Sequence, residues 1–337
     1  MIPDDPITCI PDEFPPERRD AELWIEDGTL VLAVEDTAFR VYKGLLKIHS
    51  PVFKDMLALP TSLLPAGVTV GTTVVDGEKC TVVRLPDSAR EWRYVLRVLV
   101  VGDGRTLKCV LNLSRSGSDL FLMVLLAYIR LGHKYKIEDV YRRSLKALKG
   151  VLKPRWSFSA RPRLLPSYAL CVVNIARLTG EPSLLPYAML LCSRGVSPAF
   201  TGYIVHSDGK KEDLNEEDDT RCIQATRKLV LLTLSAITEV VLPPMTCKEG
   251  RKCQKMMDTL ARTLLPTVMN PMSPGPMDPM LWSVVRSEEF RLAQKMLCAS
   301  CWDQLSFFRV RKQREEVWNM LPSLFDISSD EEYKANH

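Results

Sequence analysis

Four cysteines in the second half of the chain have the residue type and spacing for metal or thiol chemistry. They stand as Cys247-x5-Cys253 and Cys298-x2-Cys301. Zinc takes four thiolates tetrahedrally at about 2.3 Å, so two such pairs brought together would close a structural site. On a helix Cys298 and Cys301 share a face, and Lys248, Arg251 and Lys252 around the first pair would help to hold thiolates. Against a metal, the first gap exceeds the usual spacing of about two to four residues, and buried free cysteine is common. Spacing alone therefore tips the reading towards ordinary buried thiols. A third reading makes Cys298 and Cys301 the redox pair of a thiol oxidoreductase. That chemistry requires a βαβ surround, and these residues sit inside a long helical pattern.

Other chemistry has little to run on. The four histidines, His49, His133, His206 and His337, form no i,i+4 metal pair with a carboxylate or with one another. No G-x-S-x-G elbow, Walker loop or G-x-G-x-x-G is present. A non-enzymatic chain is the expectation. Residues 140–163 carry eight Lys or Arg and no acid, and Arg309, Arg311, Lys312 and Arg314 form a second basic cluster. Nucleic acid would need such clustering together with a groove-reading motif, which is lacking, so both clusters read as solvated helix faces.

The elements that must position these residues fall into two groups. From Asp20 to Leu59 the pattern is strand, turn, strand and two short amphipathic helices. Leu23-Trp24-Ile25 turns at Glu26-Asp27-Gly28 into Leu30–Val34, and a further apolar segment follows at Phe39–Tyr42. Ser50-Pro51 is a helix start, because proline at the first helical position lacks only an N–H that would be unpaired there. Val52, Phe53, Met56 and Leu57 supply the apolar face of that helix. The stretch 60–79 reads as an inserted loop or irregular hairpin around Pro and Gly breakers. Beyond Ser167 every periodic segment is helical, with a polar, acidic loop over 205–219.

Those residues, in that order, resemble the BTB (POZ) domain. The resemblance rests on Asp20, on Phe39-Arg40-Val41-Tyr42-Lys43-Gly44-Leu45-Leu46, and on Ser50-Pro51-Val52-Phe53-Lys54-Asp55-Met56. It continues through a late strand at Thr81–Asp87, a helix at Trp92–Val101 and a helix pair around Leu131–Val140. The wording is closest to fungal members, and many animal members carry His where Tyr42 stands.

The expected organisation is a flexible acidic tail over 1–17 and a BTB/POZ-like α+β domain over 18–150, a small sheet with packed helices. A linker over 151–166, an all-helical domain over 167–325 and an acidic tail over 326–337 complete it. The resemblance implies a homodimer packed through the first strands and helices, with Leu23, Trp24 and Ile25 as exposed apolar contacts. It also implies two outputs, a cullin ubiquitin-ligase substrate adaptor or a transcription-associated scaffold. A cullin would dock on the middle helices, where Lys54 and Asp55 should be exposed. Phe53 reads as core, and Met56 and Trp92 stand open between core and interface anchor. Fungal chains of this kind also carry paired cysteines in similar places, which keeps a structural zinc in play.

Composition bounds the rest. The chain has 337 residues, 46% hydrophobic and 26% charged, with a formal charge of +4. That is an ordinary globular composition, and the charge is too small to call for a polyanion. No apolar run reaches the ~20 residues that span a bilayer, and no signal segment precedes the first domain. Ten cysteines without such a segment point to a reducing compartment, cytoplasm or nucleus.

Overall fold

Two β-branched-rich runs, Leu30–Val34 (β2) and Thr37–Val41 (β3), fold back on one another as an antiparallel pair in the computed structural model of the chain. Their two-residue connection uses a left-handed residue, Glu35 at φ 52°. Residues 14–58, 66–101, 119–153, 166–194, 203–205, 209–242, 247, 251–269 and 278–327 are described. The chain divides into two compact units, Met1–Leu148 and Lys149–His337.

In the first unit, β1 (Arg19–Trp24) lies parallel to β3, so β3 intervenes between β1 and β2. Gly28, at the corner after β1, must be glycine. A Cβ there would come within 2.9 Å of both the Arg40 side chain and the Ile25 carbonyl. Two further strands, β4 (Thr69–Val75) and β5 (Glu78–Leu85), form a regular hairpin over Asp76-Gly77, both at positive φ. A two-residue Asp-Gly turn matches the twist of the flanking strands, so of the loop or irregular hairpin expected there the structure has a hairpin, and a regular one. β5 then joins β2 in parallel, and the sheet order is β1-β3-β2-β5-β4.

Helices α1 (Lys43–His49), α2 (Pro51–Met56), α3 (Ala89–Val101), α4 (Asp119–Lys134) and α5 (Glu138–Leu152) complete the unit. Side chains from all five join Leu30, Leu32, Val34, Phe39, Val41, Val83 and Leu85 in one core, α5 through Val140. Three rings meet at its centre. Phe53 and Trp92 are 5.6 Å apart edge to face, and Tyr135 lies 5.2 and 4.9 Å from them. Ser50 joins the two ends of this core: its Oγ accepts from the Phe53 N–H and donates to the Tyr135 carbonyl. The Tyr135 hydroxyl donates to Asp87, and burial together with that carboxylate pushes its pKa well above the usual phenol range.

The opposite face of the sheet has its own smaller core of Val31, Ala33, Ala38, Val75, Cys80 and Val82 with Phe14. Phe14 is buried and its carbonyl accepts from Arg19 Nε at 2.8 Å. Phe14, which falls in the stretch expected to be a tail, is thus packed against the sheet, because its aromatic side chain there removes apolar surface from water. The stretch 1–13 of the expected acidic tail lies outside the described residues. So does 154–165 of the expected linker, whose first two residues continue α5 to Leu152.

The second unit contains α6 (Pro166–Thr179), α7 (Leu185–Arg194), α8 (Glu216–Val241) and α9 (Arg251–Met269), followed by α10 (Glu288–Met296), α11 (Ala299–Asp303) and α12 (Val310–Leu324). It is mostly helical but not all-helical. Tyr203–Val205 (β6) pairs antiparallel with Lys211–Asp213 (β7), which lies inside the stretch expected to be a polar loop. A strand reading Lys-Glu-Asp has no apolar alternation to reveal it. At the start of α8 the buried Asp218 accepts from Arg177 Nε at 2.9 Å and Nη2 at 2.6 Å, and from Arg221. Burial alone would raise this carboxyl, but hydrogen bonds and charge from Arg177, Asn215 and Arg221 outweigh it and hold the pKa low.

The single helix expected over 288–308 is broken into pieces. Leu297 and Cys298 are extended, with ψ 145° and 160°. After α11 the chain passes through a π-helical stretch, Gln304–Arg309. There the spacing between buried apolar residues widens from four, Cys301 to Leu305, to five, Leu305 to Val310.

Candidate metal centre

The break in that helix positions the cysteines. Cys253 lies in the first turn of α9, Cys298 is the residue before α11, and Cys301 follows on α11 itself. The Cys298 N–H donates to the Cys253 sulfur at 3.5 Å. Cys247 brings the fourth sulfur, 3.6 Å from that of Cys298. All four Sγ atoms lie within 4.8 Å of one another. A tetrahedron with metal–sulfur bonds of about 2.3 Å has edges of about 3.8 Å, so the four cysteines are close enough to hold one metal ion.

Their surroundings are those of a core. Cys253 and Cys301 are buried among Ile237, Val240, Met257, Leu260 and Leu305, while Cys247 and Cys298 are partly exposed at its margin. Burial first, then hydrogen bonding with Cys247, Cys298 and Cys253, pushes the Cys301 thiol far above its ordinary range. For Cys253 the Cys298 N–H and the Cys301 thiol pull downward, but burial and the Cys247 and Cys298 sulfurs prevail and the thiol is raised. Four sulfurs this close cannot all ionise without a positive partner, and a divalent ion supplies one. Arg309 sits near enough to Cys301 to feel its charge, and its Nη1 donates to the Val240 carbonyl at 3.1 Å. None of the eight described cysteines is in a disulfide.

The expected interaction residues fare differently. Leu23 is buried, not exposed, because its side chain points into the helix-covered core. Ile25 is half-buried against the same core. Trp24, also half-buried, packs on the opposite face, with the Arg19 guanidinium 4.5 Å above its ring. Alternation along β1 sends neighbours to opposite faces, so the three cannot share one exposed patch. Lys54 and Asp55 are exposed on α2, as their place between apolar positions requires. Met56 and Trp92 are buried with Phe53 and serve the core, not an interface.

Sequence reasoning passed over Ile48, on α1, which is 79% exposed. With Tyr42, the residue that caps α1, and the half-buried Leu45 it marks an i, i+3, i+6 apolar stripe along α1, and Tyr42 is itself 42% exposed. That spacing was readable. The Tyr42 hydroxyl donates to Asp27 at 2.7 Å.

Of the basic clusters, Arg155, Arg161 and Arg163 lie outside the described residues, and several of the described members are paired locally. Arg142 and Arg143 pair with Glu138 and Asp139 one turn earlier, and Lys149 with Glu181. Arg311 and Lys312 pair with Glu315 and Glu316, and Arg314 is buried with its Nε donating to the Met280 carbonyl. Among the described residues, no helix is long and apolar enough to cross a membrane. No family model, curated protein or solved structure matches the chain.

Proposed function

We propose that this chain is a non-catalytic protein-interaction protein. Its first unit acts as a BTB/POZ-like module that pairs with a second copy, and its second unit is a mostly helical domain whose core is closed by a structural zinc ion. The observation that carries the pairing is the α1 stripe, where Ile48 and Tyr42 stay outside a core that takes in nearly every neighbouring apolar side chain. A two-fold interface uses the same patch twice, so each buried Ile48 counts at both copies.

The zinc reading rests on the donor set. Four sulfurs within 4.8 Å of one another, two buried and two at the margin, would fill all four positions of a tetrahedral ion and leave none for a substrate. Closed sites of this kind hold structure, whereas catalytic zinc keeps one coordination position open. Such a chain belongs in a reducing compartment, cytoplasm or nucleus, where the thiols stay available. The competing thiol oxidoreductase would need Cys298 or Cys301 ionised near neutral pH. Burial and three neighbouring sulfurs push Cys301 the other way.

Sedimentation of the full chain tests the pairing. Ile48→Glu should leave the fold intact, since the side chain is exposed, and should convert the wild-type mass to a smaller species. A wild-type chain that stays monomeric up to about 100 µM, well above the dissociation constants of standard-size interfaces, would refute it.

A further inference from the structure

The two edges of the five-stranded sheet are protected very differently. β1 carries Arg19, Asp20 and Glu22, has an irregular register, and turns the Asp20 carboxylate inward to Arg93 at 2.6 Å. Arg97 of α3 also reaches across to Glu22. Charges, irregularity and an inward-pointing acid are the devices by which edge strands avoid further pairing. β4 has none of them. Its seven residues, Thr-Val-Gly-Thr-Thr-Val-Val, contain no charge and no proline, and among the described residues it pairs with β5 alone. Thr69, Gly71, Thr72 and Val74 are exposed, Val74 at 57%. Six of the seven are β-branched, the type that favours strand pairing.

We infer that β4 is a second self-association edge, pairing antiparallel with β4 of another copy about a two-fold axis through Thr72. The strand itself selects this occupant and register. With Thr72 opposite its own copy, Val70 faces Val74, Gly71 faces Thr73 and Thr69 faces Val75. All seven residues are paired, which no other two-fold register achieves, and no like charges oppose. Cross-strand Val–Val and Thr–Thr pairs are favourable. A single strand edge buries less than a standard interface of about 800 Å² per partner, so association in the micromolar range is expected.

This edge is separate from the α1 stripe. Two different two-fold surfaces on one chain build assemblies larger than a dimer. Sedimentation of the full chain from about 1 to 100 µM, the range such an interface spans, distinguishes them. Wild type should exceed two chains, and Thr72→Lys, which sets two lysines face to face on the axis, should weaken the β4 contact at least roughly tenfold and leave a dimer. Thr72→Glu should do the same, and an equimolar mixture of the two variants should regain the wild-type mass. Val74→Lys provides the same readout from another position, with far-ultraviolet circular dichroism showing that each variant stays folded. If Thr72→Lys, Thr72→Glu and Val74→Lys all keep the wild-type mass, the β4 pairing is wrong, whatever Ile48→Glu does. If only Ile48→Glu is without effect, wild type being a dimer and Thr72→Lys a monomer, β4 stands and the α1 reading falls.

Discussion

At the centre of the first unit three aromatic rings, Phe53, Trp92 and Tyr135, pack within 6 Å of one another, whereas in the second unit four sulfur atoms converge inside the core. The rings need nothing further to be satisfied. Their burial contributes the same stabilisation whatever the metal content or redox state of the solution. The sulfurs are conditional: without a bound ion they are crowded thiols, and with one they become a cross-link among Cys247, α9 and α11. On the proposed zinc reading, one unit is stable by packing alone and the other by packing plus a ligand.

The sharpest way to break that contrast is to strip the proposed ion. Binding free energy of a structural zinc, about 10–16 kcal/mol in small domains, is folding free energy. A strong chelator should therefore abolish hydrogen-exchange protection in α9, α11 and α12 while β2, β3 and α2 keep theirs. Elemental analysis of a metal-replete preparation should give one zinc per chain; a value near zero would end the contrast. The reciprocal experiment is Trp92→Ala. It should destabilise the first unit by about 3–5 kcal/mol, an effect independent of chelator, read as a lowered transition for that unit alone.

Of this contrast, the first half was legible in the residues and the second only partly. Ser50-Pro51 announced the start of α2, and the structure supplies both the serine cap and the proline at the first turn. Asp76-Gly77 was a hairpin signal, and the stretch around it was legible only as a loop or an irregular hairpin, because the Pro and Gly before it obscure how regular the ladder is. Leu23, Trp24 and Ile25 were legible as strand but not as faces, since which face is buried depends on helices supplied more than sixty residues later. The cysteines carried a spacing, but that 247 and 253 meet 298 and 301 depends on how α9 packs on α10 and α11, which no local pattern encodes. Glu138 and Asp139 sat just outside the basic stretch and were overlooked as its partners.

A smaller effect sharpens the comparison within the second unit, where one buried ion pair is conditional on pH instead of metal. Asp218→Asn should lower stability by about 2 kcal/mol near neutral pH, the scale of a hydrogen bond to a charged group. Because the folded-state pKa of Asp218 lies below its ordinary 3.8, the folded form binds fewer protons there. Its contribution is complete above that ordinary value and is lost as pH falls through the lowered one. The gap between wild type and variant, measured by urea denaturation, should therefore close in acid; a gap that is constant with pH would show that the pair contributes nothing through charge. The smallest effect belongs to the exposed face of α2. Lys54→Glu with Asp55→Lys should change stability by no more than about 0.5 kcal/mol. Any cullin that co-purifies with the wild-type chain should be lost, and its retention by the variant would place that docking elsewhere.

The Ser50 hydroxyl and the Tyr135 carbonyl, joined in the folded core, are 85 residues apart along the chain. A ribosome adding about 5–20 residues per second needs roughly 4–17 s to make that interval. Throughout it Phe53 has been synthesised and the ring that closes over it has not. β4 emerges early in the wait, uncharged and without proline, on a polysome where neighbouring nascent chains present the same strand. The order of synthesis thus exposes this chain to its own copies before its first core can close, and a chaperone acting on the nascent chain would have its longest opportunity there.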